Sequence, residues 1–293
     1  MNPFVIENLQ FEKYHGLGND YIIINDIHLD IPEEKKSNLA RALCQYHFSV
    51  GADGLIFVCN SIEADIKMRI FNSDGSEAEM CGNGIRCFSK YVYENNIVKK
   101  SELSIETLKG IIIAELNIRE DLVESVKIDM GPPILDCEMI PVDIDNETSQ
   151  CINEELVALD KIFRFSAVSM GNPHTIIFIK EQLDDTELNK YGSVIESHKY
   201  FPNKTNVEFV KVVSNEEAIL RVFERGVGIT NSCGTGTCAA VVAGTELGLF
   251  KKNSPITIHN DGGDLIITYT RKTIFMEGPV VKVFVGNIEK LMI

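Results

Sequence analysis

Two cysteines stand out by the residues on their C-terminal side. Cys81 precedes Gly82-Asn83-Gly84, and Cys233 precedes Gly234-Thr235-Gly236. Each spacing predicts a turn that opens a helix. The first amides of a helix lack intrahelical acceptors and sit at the positive end of the macrodipole, so negative charge is favoured there. A thiolate gains from that position, and the thiol pKa is predicted to fall. The same N–H groups, at Gly82, Asn83, Gly234 and Thr235, could hold a substrate carboxylate, with glycine admitting close approach. One such cysteine could be a nucleophile, a redox thiol, a general base or a small buried residue at a tight turn. Two on related halves suit a narrower task. Inverting a stereocentre by proton transfer needs a base on one face of a carbon and an acid on the other, and sulfur can serve as either. Cys87 and Cys238, inside the predicted helices, read as packing.

The halves are related by a repeat. Arg69-Ile70-Phe71 lies ahead of Cys81 as Arg221-Val222-Phe223 lies ahead of Cys233, each cysteine twelve positions after its arginine and the two 152 positions apart. Within one residue of that offset, Gly18-Asn19 and the run Tyr21 to Ile24 align with Gly171-Asn172 and the run Thr175 to Phe178. Gly131-Pro132-Pro133 and Gly278-Pro279 close the two halves. Matches in one order at one offset indicate a duplicated domain.

The elements that must position the cysteines emerge from local pattern. Runs rich in Ile, Val and Phe, bounded by Gly, Asn and Pro, read as strands, for example Ser125 to Met130, Glu208 to Val213 and Leu265 to Tyr269. Helical stretches come after each cysteine turn, Ile85 to Val92 and Thr237 to Gly244, the second apolar throughout and therefore buried. Lys35 to Tyr46 reads as a peripheral amphipathic helix. The expected fold class is α+β, with two pseudo-symmetric domains, each a mostly antiparallel sheet wrapped round a central helix. Residues 1–131 with 278–293 make one domain and residues 132–277 the other.

Composition excludes several function classes. The 293 residues carry a net charge of −15, spread along the chain, which leaves no electrostatic footprint for nucleic acid. Apolar stretches are far short of the roughly 20 residues of a membrane helix. The N-terminus has no secretory pattern, so a cytoplasmic location is expected. Eight cysteines in such a chain are expected to be reduced. Only Cys233/Cys238 has a spacing suited to structural zinc, and no metal is expected. Gly226-x-Gly228 lacks the third glycine and downstream acid of a dinucleotide fingerprint.

The motifs closely resemble those of the diaminopimelate epimerase family: His15 to Asp20, Gly51 to Gly54, Phe71 to Cys87, Gly171 to His174, Asn206 to Phe209, Phe223 to Gly226 and Cys233 to Gly236, in family order over nearly the whole chain. The resemblance implies cofactor-independent interconversion of LL- and meso-diaminopimelate, on the route to lysine and peptidoglycan precursors, by a usually homodimeric enzyme. Cys81 and Cys233 match the paired acid and base. Asn19, Asn72, Asn172, Asn206 and Arg225 match substrate-binding positions, with Arg225 able to fork onto a distal carboxylate. Glu224 and His174 match residues that hold the reacting ammonium and tune the thiols. Gly54 departs from the pattern, since some members carry a substrate-reaching glutamine there; Thr237 and Ile229 also differ from common choices. The rival readings are a racemase of proline, hydroxyproline or histidine on the same fold, a phenazine-type isomerase, which lacks the paired cysteines, and a zinc or thiol-redox module. The first has no use for Asn72, Asn172, Asn206 and Arg225 together.

Overall fold

The computed structural model describes residues 5–144 and 149–292. The chain divides into two compact units, Met1–Ile128 with Gly278–Ile293 and Asp129–Glu277. In the first unit the elements run β1 (Val5–Gly16), β2 (Asn19–Asn25), α1 (Glu33–Leu43), β3 (Gly54–Cys59), β4 (Ile66–Asn72), β5 (Glu77–Ala78), α2 (Gly82–Glu94), β6 (Glu102–Thr107), β7 (Gly110–Arg119) and β8 (Leu122–Asp129). Neighbouring strands pair antiparallel, except β2 with β3 and β4 with β6, which are parallel.

Burial explains the two kinds of strand. Ile22 to Ile24 and Leu55 to Val58 are fully buried continuous runs, as expected of central strands covered on both faces. One face carries Ile22, Ile24, Leu55 and Phe57, which cluster with Leu39, Ala40 and Leu43 of α1. Side chains alternate along a strand, so Tyr21, Ile23 and Ile56 point to the other face, toward α2. That helix packs against β1, β2, β3, β4 and β7, and every residue from Gly82 to Tyr93 is buried. In β6 and β7 only alternate residues are covered, Leu103, Ile105, Ala114 and Leu116 among them.

The second unit repeats the plan: β9 (Glu154–Ala158), β10 (Lys161–Ser169), β11 (Pro173–Ile179), α3 (Asp185–Glu196), β12 (Asn206–Ser214), β13 (Glu217–Glu224), β14 (Gly228–Thr230), α4 (Gly234–Glu246), β15 (Pro255–Asn260), β16 (Gly263–Tyr269) and β17 (Ile274–Pro279). The parallel pairs recur at equivalent places, β11 with β12 and β13 with β15. The apolar α4 is buried from Gly236 to Thr245 and packs against β10, β11, β12 and β16. Finally β18 (Val281–Met292) returns antiparallel to β1. Both units are thus mostly antiparallel sheets round a central helix, an α+β fold.

Two sequence expectations need correction, and one helix has to be added to them. The peripheral helix ends at Leu43 rather than Tyr46, because Gly51 and Ala52 donate to the carbonyls of Leu43 and Cys44 and turn the chain away. Helix α3 has no counterpart among the sequence expectations. Asp184 caps it by accepting from the Glu187 N–H at 2.8 Å, the first half of a capping box whose Asp-x-x-Glu spacing is plain in the sequence. The cysteines are not all reduced. Cys137 and Cys151 form a disulfide, their Cα atoms 5.5 Å apart, buried in the cluster under α3. A spacing of 14 does not reveal that pairing; the bridge between Asp136 and Gln150, with the Cys137 N–H on the Ser149 carbonyl, creates it.

Candidate active site

In the first unit Cys81 is the N-cap of α2, half-buried with an extended backbone, so its sulfur stands at the helix's positive end. The strand pair β2/β3 supplies its neighbours. Asn19, which opens β2, donates through Nδ2 to Asp53 at 2.9 Å, and that bond orients the amide. Its Oδ1 accepts from the Tyr21 hydroxyl at 2.7 Å and from Asn83 Nδ2 at 3.3 Å. The Tyr21 hydroxyl also lies 3.0 Å from the Cys81 sulfur. Buried Arg86, one turn along α2, donates to Asn83 Oδ1 at 2.8 Å and holds that side chain. The first-turn amides at Gly82 and Asn83 precede the first helical bond, from Ile85 N–H to the Cys81 carbonyl. Asn72 sits exposed at the end of β4, its Nδ2 on Ser76 Oγ at 2.9 Å.

In the second unit Cys233 caps α4 in the same way, but it is 7% exposed. Gly236 N–H donates to its sulfur at 3.4 Å, and Thr235 Oγ1 lies at 3.4 Å. His174 and Glu208, neighbours on the parallel pair β11/β12, are fully buried and joined at 2.7 Å through Nδ1 and Oε1. His174 Nε2 lies 3.0 Å from Asn172 Oδ1. Glu224 accepts from Thr230 Oγ1. Asn206 donates to the Pro173 carbonyl at 2.8 Å and accepts from the Arg225 backbone N–H at 3.0 Å. The exposed Arg225 side chain bonds the Asn203 carbonyl at 3.2 Å.

Here one expectation fails. The Cys233 thiol pKa is pushed well up, not down, chiefly by burial and then by the charges of Glu224 and Glu208. The Thr235 hydroxyl and Gly236 N–H oppose the shift and lose. A helix terminus contributes within its first turn, whereas desolvation of a buried thiolate is larger. Glu224 is itself raised, first by burial and also by Glu208, against the bond from Thr230.

Donor atoms of His174, Glu208 and Cys233 lie within 4.8 Å of one another, a set that could hold a soft divalent cation. Both imidazole nitrogens, however, are spent on hydrogen bonds to Glu208 and Asn172. With the Asn172 carbonyl toward Nε2, that nitrogen donates, and Nδ1 faces the Glu208 carboxyl group.

Each unit gathers part of the set its motifs pointed to, Asn19, Gly82 and Asn83 round Cys81, and Asn172, His174, Glu224, Gly234 and Thr235 round Cys233, whereas Asn72, Asn206 and Arg225 bond to Ser76, the Pro173 carbonyl and the Asn203 carbonyl. Sequence reasoning missed Tyr21 as a partner of Cys81 and gave Glu208 no role. The repeat itself carried a signal for the first, since Tyr21 precedes His174 by 153 positions, as Asn19 precedes Asn172.

Comparison with known proteins bears on the whole chain. The sequence profile of the diaminopimelate epimerase family matches residues 11–135 and 166–283. A diaminopimelate epimerase of Halothermothrix orenii is 49% identical over 96% of this chain and 98% of its own length. One from Methanococcus maripaludis is 45% identical over 96% of this chain and 100% of its own. Among solved structures, a Bacillus anthracis protein of the PhzF phenazine biosynthesis family superposes with a TM-score of 0.70 at 18% identity, covering 97% of this chain and 99% of that one. A hydroxyproline epimerase from Agrobacterium vitis gives 0.68 at 12% identity, over 96% and 92%. These last two share the fold. The extent and identity of the sequence matches place the chain in the diaminopimelate epimerase family.

Proposed function

We propose that the chain epimerises diaminopimelate at one α-carbon without a cofactor, Cys81 and Cys233 serving as base and acid. The observation that carries this reading is the matched setting of the two thiols, each the N-cap of a central helix in a duplicated unit. The thiolate of one removes the α-hydrogen and the thiol of the other delivers a proton to the opposite face. Removal is hard because the α-hydrogen is a far weaker acid than a thiol. Amides at Gly82 and Asn83, and at Gly234 and Thr235, can meet the charge that grows on the substrate carboxylate as the proton leaves. Asn19, Asn72, Asn172, Asn206 and Arg225 would hold the two amino-acid ends, with Glu224 on the reacting ammonium. His174 and Glu224 would tune Cys233. The two compact units correspond to the two epimerase domains.

The same reading assigns the product to lysine and peptidoglycan precursor synthesis, in the cytoplasm. Among the described residues no helix is long and apolar enough to cross a membrane. A homodimer is the expected assembly. Exposed Val281, Val283, Phe284 and Val285 along β18 give a second copy apolar surface to cover.

The test is exchange of the substrate α-hydrogen with solvent deuterium by purified protein, run beside proline and hydroxyproline. Diaminopimelate alone should exchange. Cys81→Ala and Cys233→Ala should each lower interconversion by roughly a thousandfold or more, the scale on which removal of one essential member of a catalytic set is felt. Full turnover in either variant, or preferred exchange of proline, defeats the assignment.

A further inference from the structure

Two thiols in one duplicated scaffold invite the question of what stands in the first unit where His174 stands in the second. His174 lies 153 residues after Tyr21, the spacing that relates Asn172 to Asn19. In the parallel pair β2/β3, Tyr21 is opposite Gly54; in β11/β12, His174 is opposite Asn206. Gly54 and Asn206 open equivalent strands 152 residues apart. Each ring reaches back to the amide oxygen two residues earlier, Tyr21 to Asn19 at 2.7 Å and His174 to Asn172 at 3.0 Å. Each also neighbours the cysteine of its own unit.

We propose that Tyr21 is a catalytic residue of the Cys81 half, its hydroxyl turning between Asn19 and the sulfur as the sulfur loses and gains its proton. This rests on Cys81 acting as acid and base. A hydroxyl has one hydrogen to donate and two lone pairs. When Cys81 is a thiol, the hydroxyl donates to Asn19 Oδ1 and accepts from S–H. When Cys81 is a thiolate, the hydroxyl donates to the sulfur, 3.0 Å away, and Asn19 Oδ1 keeps the bond from Asn83. Neither state strands a buried polar atom, and the charged one gains a charge-assisted hydrogen bond.

The proton balance is simple. The proton that moves travels between the substrate carbon and sulfur, and the phenol keeps its own throughout. Burial, with Cys81, Cys87 and Asp53 nearby, holds the phenol well above its usual range, so it does not ionise in place of the thiol.

Gly54 is part of the arrangement. A Cβ there would stand 2.8 Å from the Phe71 carbonyl oxygen and 3.0 Å from Tyr21 Cε1, so only glycine leaves the ring its place.

Tyr21→Phe removes one oxygen and keeps the ring. It should lower kcat about tenfold to a hundredfold, the range for losing a hydrogen bond to a charged group, with KM within about threefold. A packing role would not move the sulfur's titration, so that is the second readout. In Cys233→Ala protein, thiolate absorbance against pH is recorded with and without Tyr21→Phe, and the Cys81 step is taken as the part lost on adding Cys81→Ala. The other titratable groups facing this site, Asp20, Asp53, Cys87 and Arg86, are left unchanged by the substitution. The Cys81 midpoint should rise by about one pH unit. Unchanged kcat overturns the proposal, and so does a kcat loss with an unmoved midpoint. Failure of the two-thiol reading looks different, because the unaltered protein would then exchange no α-hydrogen.

Discussion

Two positions that are neutral in the unit of Cys81 carry acids in the unit of Cys233. Ile56 corresponds to Glu208 and Asn72 to Glu224, each pair 152 residues apart, while Tyr21 corresponds to His174. The backbone plan is shared to the level of which strand pairs are parallel. Even the outer helices are tied alike, Arg69 pairing with Glu33 at the start of α1 and Arg221 with Asp185 at the start of α3. Duplication thus preserved the frame that points two sulfurs from two helix termini, and side-chain replacement set their surroundings apart. Two carboxylates and burial hold Cys233 in its thiol form. The proposed two-base reaction needs a protonated sulfur opposite the one that takes the proton, and the surroundings of Cys233 favour its protonated form.

The comparison can be broken by exchanging residues between the halves. The largest effect should come from Ile56→Glu, which copies Glu208 into the first unit. Ile56 is fully buried in a face built for apolar packing, and a carboxylate there meets neither a histidine nor room. Denaturant unfolding should show a loss of about 3–5 kcal/mol; a loss below about 1 kcal/mol would mean the two faces are less different than their residues suggest. Next comes the disulfide, a feature of the second unit, since Cys44, Cys59, Cys81 and Cys87 of the first are free. Cys137→Ser should cost about 3 kcal/mol, as should reduction of the wild type, the scale for closing a loop of this length. Equal stability of oxidised and reduced protein would show that the bond contributes nothing to the second unit.

A smaller, sharper test concerns charge. In Cys81→Ala protein, Glu208→Gln should lower the pH at which Cys233 ionises by about one unit, because a like charge is withdrawn. Glu224→Gln should act in the same direction, and a shift upward in either would reverse the assigned sign. The smallest effect should appear at alkaline pH. Burial raises the thiols of Cys44 and Cys87 to about 12 and that of Cys59 to about 11, from 9.0. With folded values above unfolded ones, their stabilisation is complete below pH about 9 and is lost as pH rises toward 12. Denaturant unfolding should therefore show stability falling between about pH 9 and 12, and a flat profile over that range would count against that burial.

Much of the fold and site is legible in the sequence because its signals are local. Gly-x-Gly after each cysteine marks a helix start, and runs such as Tyr21 to Ile24 mark strands. Helix α3 escapes a reading by apolar periodicity, although Asp184 and Glu187 spell its cap, because its opening turn is short and polar. The fall expected of the Cys233 pKa is wrong for a different reason. Proximity to a helix terminus can be read from order along the chain, but burial, and the approach of Glu208 from a strand 25 residues earlier, cannot.

Order along the chain alone determined that there are two equivalent cysteines, each at a helix start, within a duplicated domain. Repeats and turns are properties of neighbouring residues. Tertiary structure decided which groups those sulfurs meet: Tyr21 and Asn19 for one, and His174, Glu208 and Glu224 for the other, together with the pairing of Cys137 and Cys151. Those partners are set by strand register and by which face of a sheet a helix covers. A slip of one residue in β2 or β12 would turn Tyr21 or Glu208 away from its cysteine without altering a single motif.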